Sequence, residues 1–256
     1  MHVVAIYNLK DDKQNMAGAL AAVLKGTAFE ALSRLRAPGS GPFVVGVFAE
    51  QERAAALAGQ LESGGFSAAV LSAGELETEA GQWSIRRFGF NELDLRVESV
   101  DGQSLTLAYQ DIDLILRGTG ISSSTSIETT KQRKFDPGAA VLSGGLKMTK
   151  LTKTTREVTK EEREGFFTLY AANIPTLLFR ENSLVYDALG SARGLSRSAN
   201  FAQLTAEMRR RCPAALYDDR LLNRAGSAAL LGPSLSPEEH LVVATALLAK
   251  VLRERY

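Results

Sequence analysis

The chain offers few residues for chemistry. His2 and His240 are its only histidines and Cys212 its only cysteine. Catalysis by a serine or cysteine nucleophile needs a nearby base, most often histidine. His2 sits at the terminus, His240 on an expected helix, and Cys212 before Pro213 with no CxxC partner. The expectation is a solvated histidine and a half-buried, apolar cysteine. Zinc sites are built from clusters of Cys and His, so no metal site is expected. Asp111 with Asp113, and Asp218 with Asp219, belong to no calcium-loop pattern and read as strand-end or helix-cap acids. The glycine runs are no better placed for phosphate. Gly39-Ser40-Gly41 enters Pro42 and a strand, Gly118-Thr119-Gly120 enters a Thr-rich strand, and Ser143-Gly144-Gly145-Leu146-Lys147 lacks P-loop spacing. No cofactor and no enzymatic activity are expected. The enzymatic alternative is a site without a motif, for instance two acids that converge only in space.

What remains is a charge pattern. Lys131, Arg133, Lys134, Lys147, Lys150, Lys153, Arg156 and Lys160 face only Asp136 and Glu157 between positions 131 and 160, whereas the whole chain carries a net charge of +1. Residues 119–159 hold nine threonines and little aliphatic residue, and Asp136-Pro137-Gly138 and Ser143-Gly144-Gly145 interrupt them. Two polar strands, about 124–135 and 146–158, are expected. On the second, Lys150 and Arg156 share a parity opposite to Lys147 and Lys153, so both faces are basic. One role for such charge is to keep a sheet edge from pairing with other chains. The other is contact with an anionic partner. No aromatic residue lies between Lys147 and Lys160, which disfavours nucleic acid, since single strands stack on aromatic rings.

The elements that must carry these residues fall into two textures. The chain is 256 residues long, 45% hydrophobic and 23% charged, which suits a folded protein of one or two domains. No apolar run approaches the roughly 18 residues of a membrane span, no signal peptide is recognised, and a cytoplasmic setting is expected. In residues 1–74, Val3–Tyr7, Phe43–Phe48 and Ser67–Leu71 read as strands. Met16, Leu20, Val23 and Leu24, then Phe29, Leu32 and Leu35, and Ala54, Leu57, Ala58 and Leu61 recur at helical spacing. The order is β-α-α-β-α-β. Residues 75–82 form an acidic linker carrying Glu75, Glu77 and Glu79.

That order, with Gly46-Val47, Glu50-Gln51-Glu52, Ala56-Leu57 and Leu61-Glu62-Ser63-Gly64-Gly65, resembles the C-terminal domain of the bacterial ribosomal stalk protein, which shares its fold with the ClpS adaptor. The likeness covers residues 2–72. It implies a small α/β sandwich, bacterial in kind, that binds protein partners on its first two helices. The family's lysines and glycine-rich turn are echoed here only by Lys25 and Gly26, so translation-factor binding is not carried over.

Residues 83–217 read as an antiparallel, β-rich domain. Trp83, Ile85 and Arg87 alternate, as do Leu93, Leu95 and Val97, and Asp101-Gly102 is a hairpin turn. Leu105, Leu107 and Tyr109 lie out of phase with Ile112, Leu114 and Leu116, which predicts a bulge or bend near Gln110-Asp111. Phe166–Tyr170 and Leu177–Arg180 are buried strands. Asn200 is expected to cap a helix bearing Phe201, Leu204 and Met208, with Gln203 completing a capping box. The Arg209-Arg210-Arg211 run at its C-terminal end suits the helix dipole. About seven strands and a helix resemble, in topology alone, the pleckstrin-homology-like barrels. In the helical tail, 218–256, Ser236-Pro237-Glu238-Glu239 reads as the start of a helix with its apolar stripe on Leu241, Val242, Thr245, Leu248 and Leu252.

The fold class expected is thus α+β: a ClpS-like sandwich followed by a β-rich pleckstrin-homology-like domain with C-terminal helices. The function expected is a non-catalytic interaction or adaptor protein with a protein partner, contacted through Lys131, Arg133, Lys134, Lys147, Lys150, Lys153 and Arg156. Peripheral association of the same hairpin with an acidic membrane surface is the alternative.

Overall fold

The computed structural model describes residues 1–9, 12–36, 41–135, 149–237 and 239–254. The fold is α+β with two sheets. Strand β1 (His2–Tyr7) is followed by helices α1 (Lys13–Leu24) and α2 (Ala28–Leu35), strand β2 (Phe43–Phe48), helix α3 (Gln51–Ser63) and strand β3 (Ser67–Leu71). This is the order that the periodicity predicts. The β-branched run of β1 pairs antiparallel with both neighbours, so the sheet order is β2-β1-β3. Strand period then divides β1 between two cores. Val4 and Ile6 meet Leu20, Ala31, Leu35, Ala54 and Leu61 of the three helices. Val3 and Ala5 face the opposite core. Thr27 starts α2 with a capping box closed by Glu30. On α2 the buried pair is Ala31 and Leu35, while Phe29, expected on the apolar stripe, is 81% exposed.

The segment expected as an acidic linker is mostly helix. Ser72 caps α4 (Ala73–Ala80), and Glu75 completes its capping box: the carboxylate accepts from Ser72 N at 2.7 Å and from Ser72 Oγ at 2.6 Å. Of the acids that look like linker chemistry, Glu75 is a first-turn acid of this helix, and Glu77 and Glu79 fall further along it.

Strands β4 (Trp83–Phe90), β5 (Asp94–Ser99), β6 (Ser104–Ala108), β7 (Ile112–Phe135), β8 (Thr149–Ala171), β9 (Leu177–Arg180) and β10 (Leu216–Leu221) make the second sheet, in the order β10-β7-β8-β9-β4-β5-β6. The phase slip before Ile112 is a single 3-10 turn, Tyr109–Asp111. The expected antiparallel sheet is in fact mixed. β4 runs parallel to β9, and β10 runs parallel to β7. β10 arrives after helix α5 (Arg197–Arg211), and a helical excursion of that length is what a parallel return requires. The N-cap of α5 is Ser196, which accepts from Ala199 N. Asn200, expected as the cap, is 5% exposed inside the helix, and its amide grips Gly194 N at 2.6 Å and Gly194 O at 3.2 Å.

Two helices finish the chain, α6 (Arg224–Leu231) and α7 (Leu241–Arg253). α7 starts later than Ser236-Pro237 suggests. Ser236 O instead accepts His240 N at 3.0 Å in the turn before it, and His240 takes the cap position without a side-chain bond. Glu238, part of that expected signature, lies outside the described residues. A one-faced stripe is also too small a description of α7. Val243 to Ala249 are all buried, together with Val251. They pack in one core with Val3 and Ala5 of β1, Leu71 of β3, Leu114 and Leu116 of β7, and Phe166 and Tyr170 of β8. The other face of the second sheet, including Ile115, Phe167 and Leu169, meets Phe201, Leu204, Met208 and Cys212 on α5.

The chain forms two compact units. One comprises Met1–Gly120 with Glu164–Tyr256, and the other is Ile121–Arg163. The linker position expected at 75–82 lies within the first unit, where both sheets share the α7 core.

Candidate functional site

Cys212 is 3% exposed in the α5 core, and burial pushes its thiol up to about 11. His240 Nδ1 lies 3.1 Å from Ser236 O, and His2 Nδ1 is buried without a hydrogen-bond partner. Asp113 pairs with Arg253 and Asp218 with Arg220. Among the described residues no group of three or more His, Cys, Asp or Glu could hold a metal ion, and no helix is long and apolar enough to cross a membrane.

The basic residues divide by position. Lys131, Arg133 and Lys134 fall on β7, and Lys150, Lys153 and Arg156 on β8; Lys147 lies outside the described residues. The two strands are neighbours in the second sheet. Six of the seven expected contact residues therefore sit on adjacent strands within the unit Ile121–Arg163. Sequence texture suggests four separate short strands here. Each of β7 and β8 is instead one continuous strand, of 24 and 23 residues, that joins an apolar segment of the first unit to a polar one of the second.

Within the first unit lies a cavity of about 1100 Å³ that no sequence feature announces. α4 supplies Gly74, Glu75 and Thr78, β7 supplies Ile112 and Asp113, and α7 supplies Ala246, Ala249, Lys250 and Arg253. Two ion pairs cross its wall. Lys250 Nζ lies 2.6 Å from Glu75 Oε1 and donates to Val70 O at 2.8 Å. Arg253 donates from Nε at 3.1 Å and Nη2 at 2.9 Å to the same oxygen of Asp113, with its guanidinium 5.8 Å from the centre of the Tyr170 ring. Burial alone would raise the pKa of Glu75. The hydrogen bonds from Lys250 and Ser72 outweigh that and hold it below its ordinary value. Residues from five chain regions build this site, so helical spacing on α7, which puts Lys250 and Arg253 one turn apart, is the only fragment visible locally.

The chain matches no family model, and no curated protein and no solved structure is significantly similar to it.

Proposed function

We propose that the protein is a non-catalytic interaction protein that binds an acidic protein partner through the basic strands β7 and β8. The contacts are Lys131, Arg133, Lys134, Lys147, Lys150, Lys153 and Arg156. One observation carries the reading: between positions 131 and 160 eight basic residues stand against two acids, on and between the parts of two neighbouring strands that fall in the unit Ile121–Arg163. A concentration of one sign of charge raises the local density of an oppositely charged surface and speeds encounter with it. Binding of this kind weakens as salt shortens the screening length to about 8 Å at physiological ionic strength.

The test replaces Lys147, Lys150, Lys153 and Arg156 together by alanine and compares capture from the host lysate at low and moderate salt. Circular dichroism serves as the check on folding. A protein retained by the wild type, released by salt and lost by the variant is the expected result. Identical captures would mean that these four basic residues serve only to protect a sheet edge. Salt-sensitive retention of acidic lipid vesicles in place of a protein would move the contact to a membrane surface.

A further inference from the structure

The two sheets end in four strand edges, β2 and β3 of the first and β10 and β6 of the second. Three of them are guarded. A β-carbon built on Gly232, just past α6, would lie 3.1 Å from Val44 O of β2. Lys250 Nζ donates to Val70 O of β3 at 2.8 Å. β10 carries Asp218, Asp219 and Arg220 and an irregular register between Asp218 and Leu221, and charges and bulges are devices that keep an edge from pairing. β6 has neither. From Gly102 to Gln110 the chain holds no charged residue and no proline, and among the described residues β6 pairs only with β5.

The free side of β6 follows from its register. β5 and β6 pair Asp94 with Ala108 and Glu98 with Ser104, without a shift between them. The same register continues past both ends, where Tyr109 N donates to Leu93 O at 3.1 Å and Ser99 N to Gln103 O at 2.8 Å. Hydrogen-bonded and non-bonded pairs alternate in an antiparallel ladder. Leu105 and Leu107 therefore spend their backbone groups on β5, whereas Ser104, Thr106 and Ala108 turn theirs outward. Ser104 and Thr106 are exposed. Leu93 and Val100, in the turns at opposite ends of β5, are 77% and 52% exposed.

We propose that β6 is the interface for a second copy of this chain, added antiparallel about a two-fold axis through Thr106. The strand is complementary to itself about that residue. Thr106 meets Thr106 and Ser104 meets Ala108, so each outward N–H finds an outward C=O, in facing pairs that exchange two bonds each. Leu105 and Leu107 lie equally far from Thr106 on the face packed against α5. Leu105 of one copy thus stands beside Leu107 of the other, and the apolar row continues across the axis. A threonine pair is a favourable cross-strand contact, and along β6 no like charges come opposite each other. The axis also sets the end of one sheet that carries Val100 alongside the end of the other that carries Leu93. A contact confined to one short strand and its flanking turns is small, which fits a dimer that forms reversibly with concentration.

Sedimentation velocity of the full chain, from micromolar to millimolar concentration, reads the association in the wild type and two variants. Thr106→Pro removes an N–H that β5 does not use, so the internal ladder keeps its bonds while the pairing across the axis loses its centre. Thr106→Lys sets two like charges face to face on the axis and leaves the backbone intact. The far-ultraviolet circular dichroism spectrum checks that each variant is folded. The expected result is a reversible monomer–dimer equilibrium in the wild type, with a dissociation constant that each variant raises at least tenfold. A single-chain mass across the whole range would overturn the proposal and leave the edge to a strand of another protein. A dimer that Thr106→Lys leaves unchanged would also overturn it, since its interface would lie elsewhere.

Discussion

Glu207 Oε1 accepts from Arg211 Nε at 2.6 Å, and the guanidinium so held lies 5.0 Å from the Phe90 ring centre and 5.3 Å from that of Tyr109. Arg211 also donates to Asn91 O at 2.7 Å, which ties the end of α5 to the turn between β4 and β5. Arg210 holds the same carboxylate through two further bonds, and Arg209 stacks 4.0 Å from the Tyr217 ring centre. The arginine run suits the helix dipole, as its position suggests. Two of the three arginines also stack on rings of the second sheet's strands.

The first prediction concerns that carboxylate. The hydrogen bond from Arg210 is the largest influence on Glu207 and, with Arg211 and against burial, brings it from 4.5 down to about 2. A group with a depressed native pKa contributes stability that is complete above its unfolded value and is lost as pH falls through the native one. Glu207→Gln is therefore expected to be less stable than wild type at pH 7. The gap should persist to about pH 4.5 and close between there and about pH 2. With the pair partly screened by solvent, a loss of about 1 kcal/mol is expected. Urea unfolding followed at several pH values measures it.

Glu75 gives a second pH effect of the same sign through a different contact. Its carboxylate is held below 4.5 because the bonds from Lys250 and Ser72 outweigh burial. Its contribution is complete above that value and fades as pH falls below it. Glu75→Gln is expected to lower the thermal midpoint at pH 7. The difference from wild type should shrink on acidification, as read by a thermal melt series.

Cys212 supplies a chemical test of the core. Thiolate is the reactive form, and burial holds this thiol near 11. In the native protein at pH 8, a thiol reagent such as Ellman's is expected to label Cys212 at least a hundredfold more slowly than in denaturant. Fast labelling of the native chain would show that the α5 core opens.

How much of this was legible in the chain depends on how local each signal is. β1 through β3 were readable because their β-branched runs and helical repeats lie within single windows, and the breaker Gly64-Gly65 stands between α3 and β3. Signals that were local but degenerate misled. Ser236-Pro237 has the residues of a helix start, yet its turn closes onto His240 and α7 begins at Leu241. Asn200 has a capping side chain, yet it caps no helix end because it is committed to Gly194. Non-local pairing was invisible. β10 is a strand because Leu216 and Tyr217 sit in parallel register with Leu114 and Ile115, a hundred positions earlier. The cavity was invisible for the same reason, whereas the basic character of β7 and β8 is pure composition.

A last prediction rests on the crossing of β7, β8 and β10. Gly118 lies opposite Leu221 in the parallel register, and a β-carbon built on it would stand 2.8 Å from Leu221 Cβ and closer still to the Phe166 ring. Leu221 and Phe166 are 1% and 3% exposed in the α7 core, so neither can move aside into solvent. Adding even a methyl group to a packed core forces side chains off their rotamers, at a cost of about 1–3 kcal/mol. Gly59, on α3, is the control: nothing lies within 4 Å of a β-carbon there, and alanine in a helix interior gains about 0.5–1 kcal/mol over glycine. Gly118→Ala is therefore expected to destabilise and Gly59→Ala to stabilise, although the two substitutions are chemically the same. Equilibrium urea unfolding of both variants decides it. If Gly118→Ala were as stable as wild type, the close approach of β10 to β7 and β8 at this point would be refuted.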